Sequence, residues 1–257
     1  MFGLCKLCEV RKELCLSHSL PASAFNYIFS RPSASGKAVA VTNDAGTPVD
    51  YSSDSWDVYL LCGTCERYLN EAYDSYGIGV FKGEQCTVQR NDYGVTFSGV
   101  NRQRLRMFVL SLLWRVSVST HPAYSNIDLP CEWERELHAA LQSRASVRSS
   151  VFTVGVYRLR ESSGIPSLSM NNLRSMVLAP FARDFQVCIS VCFLLFGFLI
   201  EVFLPRLPRK GTRTIGALSG TSPVFLAPYQ EVAAFPELLA LLIAGIEKHE
   251  AGLSRVS

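Results

Sequence analysis

The sequence predicts an α+β protein: a small cysteine-bearing module over residues 1–80, followed by a larger α+β domain over residues 81–257. Three observations carry that expectation. Two CxxC pairs, Cys5/Cys8 and Cys62/Cys65, fall in the first third of the chain. Apolar residues then recur at helical spacing from about 101 to 143. From 151 to 230 the apolar stretches are rich in β-branched and aromatic residues, the signature of strands.

Composition narrows the classes. With 48% hydrophobic and 18% charged residues, 17 Gly and 12 Pro in 257 residues, collagen, coiled coil and general disorder are excluded. A net charge of +3 does not by itself demand a polyanionic partner, although most of the basic residues are Arg, the side chain suited to bidentate phosphate contacts. Met1 to Val10 lacks the basic start and apolar run of an export signal, and nine cysteines are an odd number with metal spacing in two pairs. Reduced thiols and a cytoplasmic chain are the expectation.

Within the first module, Arg31 to Asp54 is rich in Ser, Gly, Asn, Asp and Pro and reads as loop or short hairpin. In Gly63 to Tyr76, Cys65, Tyr68, Leu69, Ala72, Tyr73 and Tyr76 share one helical face, and Gly77 follows where a helix would end. From Asn101 the residues Leu105, Phe108, Val109, Leu112, Leu113 and Val116 predict a core helix flanked by Arg104 and Arg115. Pro130 opens a further helix with Trp133, Leu137, Ala140 and Leu141 inward, and Ser143 to Ser150 reads as a linker.

Val151 to Leu159 reads as a strand, and Glu161 to Asn172 as a polar loop. Val187 to Leu204 has the length and apolarity of a membrane span with one charge, Glu201. Its β-branched and aromatic content, and Gly197 at its centre, favour an apolar antiparallel hairpin instead. In that hairpin Glu201 faces water or a buried partner such as an Arg, and Cys188 and Cys192 share one side as small apolar residues. Pro236 starts an apolar helix that ends near Gly252.

The strongest chemical signal is Cys5-Lys6-Leu7-Cys8 with Cys62-Gly63-Thr64-Cys65. A CxxC turn aims two thiolates at one ion, and two such turns complete a tetrahedral structural Zn²⁺ site. One knuckle in a turn and the other opening a helix is the arrangement of a treble clef. Between them lies Cys15-Leu16-Ser17-His18-Ser19-Leu20-Pro21. Here the sequence resembles the HNH, or ββα-metal, endonuclease family, in which an acidic-His-x-x-Pro stretch stands between two CxxC pairs. SHSLP, LLCGTCERYLNEAYDSYG and LRMFVLSLLWRVSVS together resemble a bacterial group of HNH-like proteins, discontinuously over residues 5 to 119.

The resemblance implies hydrolysis of DNA phosphodiesters, with His18 as general base and a divalent ion, Mg²⁺ or Mn²⁺, beside it. Ser17 stands where the family has an acidic ligand, and Glu66 where it has His or Asn after the second knuckle. Glu66 and Asn70, four apart on one helical face, are the candidate oxygen ligands for that ion. His18 also has two other readings, a zinc ligand with Cys15 and a structural hydrogen bond. Arg104, Arg106 and Arg115 are the candidate nucleic-acid contacts. His121, His138 and His249 show no ligand spacing. The competing expectation is a catalytically degenerate zinc module that binds nucleic acid or, through the C-terminal domain, a protein partner.

Overall fold

A computed structural model of the protein describes residues 1–30, 37–41, 46–147, 151–160, 173–174, 176–205, 207 and 216–255. The chain opens with strands β1 (Phe2–Leu4) and β2 (Arg11–His18), helix α1 (Ala22–Phe29), a short hairpin of β3 (Ala38–Ala40) and β4 (Asp50–Ser52), and strand β5 (Asp57–Cys62). The hairpin is the one expected within Arg31 to Asp54. β1, β2 and β5 form an antiparallel sheet in that order.

The register of β2 on β5 shifts between Cys15 and Leu16. Ser17 repairs the disturbance: its hydroxyl, fully buried, accepts from the Leu61 amide at 3.3 Å and donates to the Cys15 carbonyl at 3.4 Å. A ladder donor orphaned by the bulge is thereby satisfied.

Helix α2 (Gly63–Leu69) leads through a π-helical turn, Asn70–Asp74, into α3 (Ser75–Lys82). The expected stop at Gly77 is corrected here. The helix continues to Lys82, and Gly83, at φ 80°, is the residue that ends it in the left-handed conformation. Gly77 has a different task, because a Cβ at that position would lie 2.2 Å from the Phe108 ring. Its missing side chain lets α3 press against α4 (Arg102–Val118), and the close approach requires Gly whatever the backbone torsion.

α4 is capped by Asn101, whose side chain accepts from the Arg104 amide at 2.9 Å. It is buried without interruption from Leu105 to Val116, so it is a central helix rather than an amphipathic one. After it come α5 (Cys131–Gln142), with Leu137, Ala140 and Leu141 inward as expected, and β8 (Thr153–Arg160). Residues 148–150 of the expected linker and the loop Glu161 to Asn172 lie outside the described residues.

A seven-stranded sheet runs β6-β7-β12-β8-β11-β10-β9. It comprises β6 (Thr87–Asn91), β7 (Gly94–Ser98), β9 (Phe181–Phe185), β10 (Cys188–Leu195), β11 (Phe198–Leu204) and β12 (Val224–Glu231) besides β8. β12 pairs parallel with β8 and antiparallel with β7, which stitches the β6-β7 hairpin into the C-terminal strands.

Val187 to Leu204 is the expected hairpin. β10 and β11 turn at Phe196 and Gly197, both at positive φ as a tight hairpin turn requires. Among the described residues no helix is long and apolar enough to cross a membrane. The unbroken apolarity has a simpler origin, burial of both faces. Val191, Phe193 and Leu195 join one cluster, while Cys192, Leu194 and Leu199 join another with Val232, Phe235 and Leu238.

Glu201 on the second face is buried. It accepts from the Ser190 hydroxyl at 2.6 Å and from Arg183 at 3.2 Å. The first cluster reaches from Cys5 to Ala227, so the cysteine module and the large sheet share one core. Helix α6 (Pro236–Glu250) closes the fold as expected, with Leu238 inward and Ile243 and Ile246 exposed.

Candidate metal centre

The four cysteines of the two CxxC pairs converge although they lie more than fifty positions apart. Their Sγ atoms all fall within 4.8 Å of one another, with Cys5, Cys62 and Cys65 buried and Cys8 half-buried. Zn–S bonds of about 2.3 Å in a tetrahedron place sulfurs about 3.8 Å apart, so the donor set suits a structural Zn²⁺ with no coordination position left open. Among the described residues this is the one group of three or more His, Cys, Asp or Glu side chains that closes to such distances. Cys15 and His18 stand outside it, which removes the reading of His18 as a zinc ligand.

Local folding explains the convergence. The first knuckle is a turn closed by Glu9 N–H to the Cys5 carbonyl at 2.9 Å and Cys5 N–H to the Val10 carbonyl at 3.1 Å, with Glu9 at φ 55°. The Lys6 amide reaches the Leu60 carbonyl at 3.1 Å, tying that turn to the end of β5, where the second knuckle begins. The Cys62 amide points at the Cys5 sulfur at 3.3 Å. Burial pushes the Cys5 thiol up, but the backbone amides of Cys8, Cys62 and Leu7 outweigh it and bring the pKa down to about 7. Cys65 moves the other way, raised first by burial and then by its sulfur neighbours. Without a cation the cluster favours charge on Cys5 while disfavouring it on Cys65; a bound dication removes that conflict.

α5 supports the first knuckle from behind. His138 Nε2 donates to the Leu7 carbonyl at 2.9 Å while its ring stacks on Trp114 at 5.8 Å, and the Gln142 amide reaches the same carbonyl at 3.3 Å. Ligand spacing alone gives no hint of this role for His138.

His18 ends β2. Its Nε2 lies 3.1 Å from the Ser55 hydroxyl and 3.8 Å from an Asp57 carboxylate oxygen, and its ring lies 6.4 Å from that of Phe25. Both polar neighbours meet the same nitrogen, so the three do not form a relay in which Ser and Asp take opposite nitrogens. Among the described residues Nδ1 has no hydrogen-bond partner. Trp56, at φ 55° in the turn between β4 and β5, packs edge-on against Phe25 and Tyr124 at 5.1 and 6.0 Å. On its other side His121 Nε2 pairs with Asp54 at 3.2 Å, while Nδ1 accepts from the Ala123 amide at 3.1 Å. The run Asp54-Ser55-Trp56-Asp57, which leads into β5, was the available sequence signal for these partners.

The carboxamide oxygen of Asn70 accepts from the Ser75 hydroxyl at 3.0 Å on an exposed helix face. Glu66 is half-buried, and one of its carboxylate oxygens, buried, has no hydrogen-bond partner among the described residues. Its charge acts on Arg115. The connection from Glu66 to His18 runs through Arg115 to the His18 carbonyl, at 3.2 Å, whereas the imidazole is engaged by Ser55 and Asp57. Among the described residues, no group of three or more His, Cys, Asp or Glu side chains that could hold an ion includes His18 or Glu66.

The three arginines expected to meet phosphate are occupied inside the protein. Arg115 is 1% exposed and makes a two-pronged pair with Asp74 at 2.6 and 2.8 Å. Burial alone would lower its pKa, but Asp74 reverses that and raises it. The π-helical turn ends at Asp74, the one acid that this buried guanidinium requires. Arg106 donates to the Val147 and Phe152 carbonyls, and burial lowers its pKa to about 10. Arg104 binds the Ala72 and Glu71 carbonyls at 2.6 and 2.7 Å and lies over the Tyr76 ring. Arg106 and Arg115 therefore belong to the core and not to an external interface, and Arg104 clasps the π-helical turn after α2.

Comparison of the chain with protein-family models, with curated proteins and with solved structures returned no match.

Proposed function

We propose that the protein is an HNH-type endonuclease that hydrolyses DNA phosphodiesters on a treble-clef zinc module. The observation that carries the reading is the joint placement of two features: a four-thiol cluster joining the turn before β2 to β5 and α2, and an imidazole at the end of β2 with one nitrogen anchored and the other without a hydrogen-bond partner among the described residues. A Zn²⁺ held by Cys5, Cys8, Cys62 and Cys65 supplies rigidity, since four thiolates leave no position for substrate.

His18 does the proton work. With Nε2–H donating toward Ser55 or Asp57, the lone pair lies on Nδ1, which takes a proton from the attacking water. The Asp57 carboxylate, 3.8 Å from Nε2, stabilises the imidazolium that results.

The test is nicking of supercoiled plasmid with added Mg²⁺ or Mn²⁺. The reading expects wild type to nick and His18→Ala to lose at least about a hundredfold in rate, the usual contribution of a general base. Equal residual cleavage by both removes His18 from the mechanism.

Ser17 favours a second reading, a zinc module that binds nucleic acid or a protein partner and cleaves nothing. In this chain the position that carries an acid in the family is a fully buried hydroxyl engaged in the β2-β5 ladder. Absence of nicking by metal-replete wild type, with DNA binding intact, selects it.

A further inference from the structure

We propose that the hollow between α2 and the turn after α5 is a subsite for a phosphodiester of nucleic acid, with Arg67 and Arg144 as its donors. The identity of the ligand rests on the nucleic-acid reading above, and the proposal replaces the buried arginines with two that are available. The hollow has a volume of about 420 Å³ and is lined by Thr64, Arg67, Tyr68, Glu71, Ala72 and Arg144. Thr64 lies inside the second CxxC knuckle, so the hollow adjoins the metal centre.

Three independent features shape it. Arg144 follows the C-terminus of α5 at φ 57°, in the left-handed conformation where a helix end usually places Gly. A side chain held there at a conformational cost lays its guanidinium over the Tyr68 ring, 4.7 Å from the centroid. The platform under it is fixed, because the Tyr68 hydroxyl meets that of Tyr73 at 3.1 Å. The floor is fixed as well, because Arg104 holds the Glu71 and Ala72 carbonyls.

Charge then selects the ligand. Arg67 and Arg144 are exposed, and among the described residues neither guanidinium makes an ion pair or donates a hydrogen bond. Glu71 also lines the hollow, so its charged residues sum to one net positive charge. A phosphodiester carries one negative charge and can accept from both guanidinium forks, whereas a free dianionic phosphate is penalised by Glu71. The outer face of the Arg144 guanidinium offers a plane on which an adjoining base can stack.

The experiment measures fluorescence anisotropy of a short labelled DNA duplex with the full-length zinc-loaded protein, over a salt series without Mg²⁺ or Mn²⁺. The double variant Arg67→Ala/Arg144→Ala should bind about tenfold or more weakly, with the slope of log K against log salt reduced by about 1, as expected for the loss of one neutralised phosphate. Arg67→Lys/Arg144→Lys should recover most of the slope, and Arg90→Ala, on exposed β6, should change neither. Zinc content and circular dichroism equal to wild type establish that the variants are folded.

Unchanged affinity and slope in the alanine variant overturn the subsite, as does a wild type that binds no duplex. Competition by inorganic phosphate at equal concentration to the duplex phosphates would show a site for free phosphate and would overturn the assignment to nucleic acid. Binding lost in the alanine variant while wild type nicks nothing supports the subsite and rejects the hydrolytic reading. Nicking with arginine-independent binding rejects the subsite alone.

Discussion

The β1-β2-β5 sheet and the β8-β11-β10 strands of the large sheet are held by different forces. On the first, Phe2, Leu4, Leu16 and Tyr59 remain exposed, so its apolar surface is only partly withdrawn from water. Where the turn between β1 and β2 meets β5 and α2, four thiols are placed so that they could share a cation. The second needs no cross-link, because both of its faces are covered by apolar clusters. The small sheet, with one poorly covered face, carries a thiol cluster that could hold a metal ion, while the sheet buried on both sides relies on the hydrophobic effect.

The largest expected effect breaks that comparison at its metal. Cys62→Ser, or removal of the ion by a chelator, should withdraw on the order of 10 kcal/mol of metal-coupled folding energy from the N-terminal module. Hydrogen exchange should then show β2, β5 and α2 losing protection while β8, β10 and β11 keep theirs. Uniform loss in both sheets would mean that the shared core couples them into one unit.

Asp74→Ala comes next. It strands the buried Arg115 guanidinium and should cost about 3 to 5 kcal/mol in denaturant unfolding, since an unpaired buried charge is the expensive outcome. A cost below about 1 kcal/mol would mean that water reaches Arg115. Gly77→Ala forces a methyl against Phe108 and should cost about 1 to 3 kcal/mol through overpacking between α3 and α4. The smallest effect is Asn101→Ala, about 1 kcal/mol from the lost N-cap of α4, measurable as a shift in the unfolding midpoint with unchanged m-value.

Much of the fold was legible because apolar period reports burial. The central helix, the α5 face, the β10-β11 hairpin and the Pro236 helix all follow from spacing and punctuation. Gly77 was misread because a glycine at the end of a periodic run has the same appearance whether it ends a helix or admits a neighbouring helix. The β6-β7 hairpin passed unnoticed. β6 is exposed throughout and has no apolar alternation, and the turn is built by the Asn91 side chain accepting from Tyr93 and Gly94 amides.

In the site, the four cysteines were legible because a metal demands a residue type and a spacing. The partners of His18 were not, because Ser55 and Asp57 reach it through β2-β5 register, which spacing does not encode. The flanking arginines misled for a related reason. A guanidinium beside an apolar stripe is as compatible with a buried partner as with water, and Asp74 becomes that partner only once the π-helical turn is formed.

The central claim is that Cys5, Cys8, Cys62 and Cys65 share one ion that organises the module, and elemental analysis tests it most directly. Protein purified without added metal should carry about one zinc per chain, and stripping it should abolish the N-terminal protection. A metal-free chain that unfolds at the same temperature with or without a chelator would contradict the account.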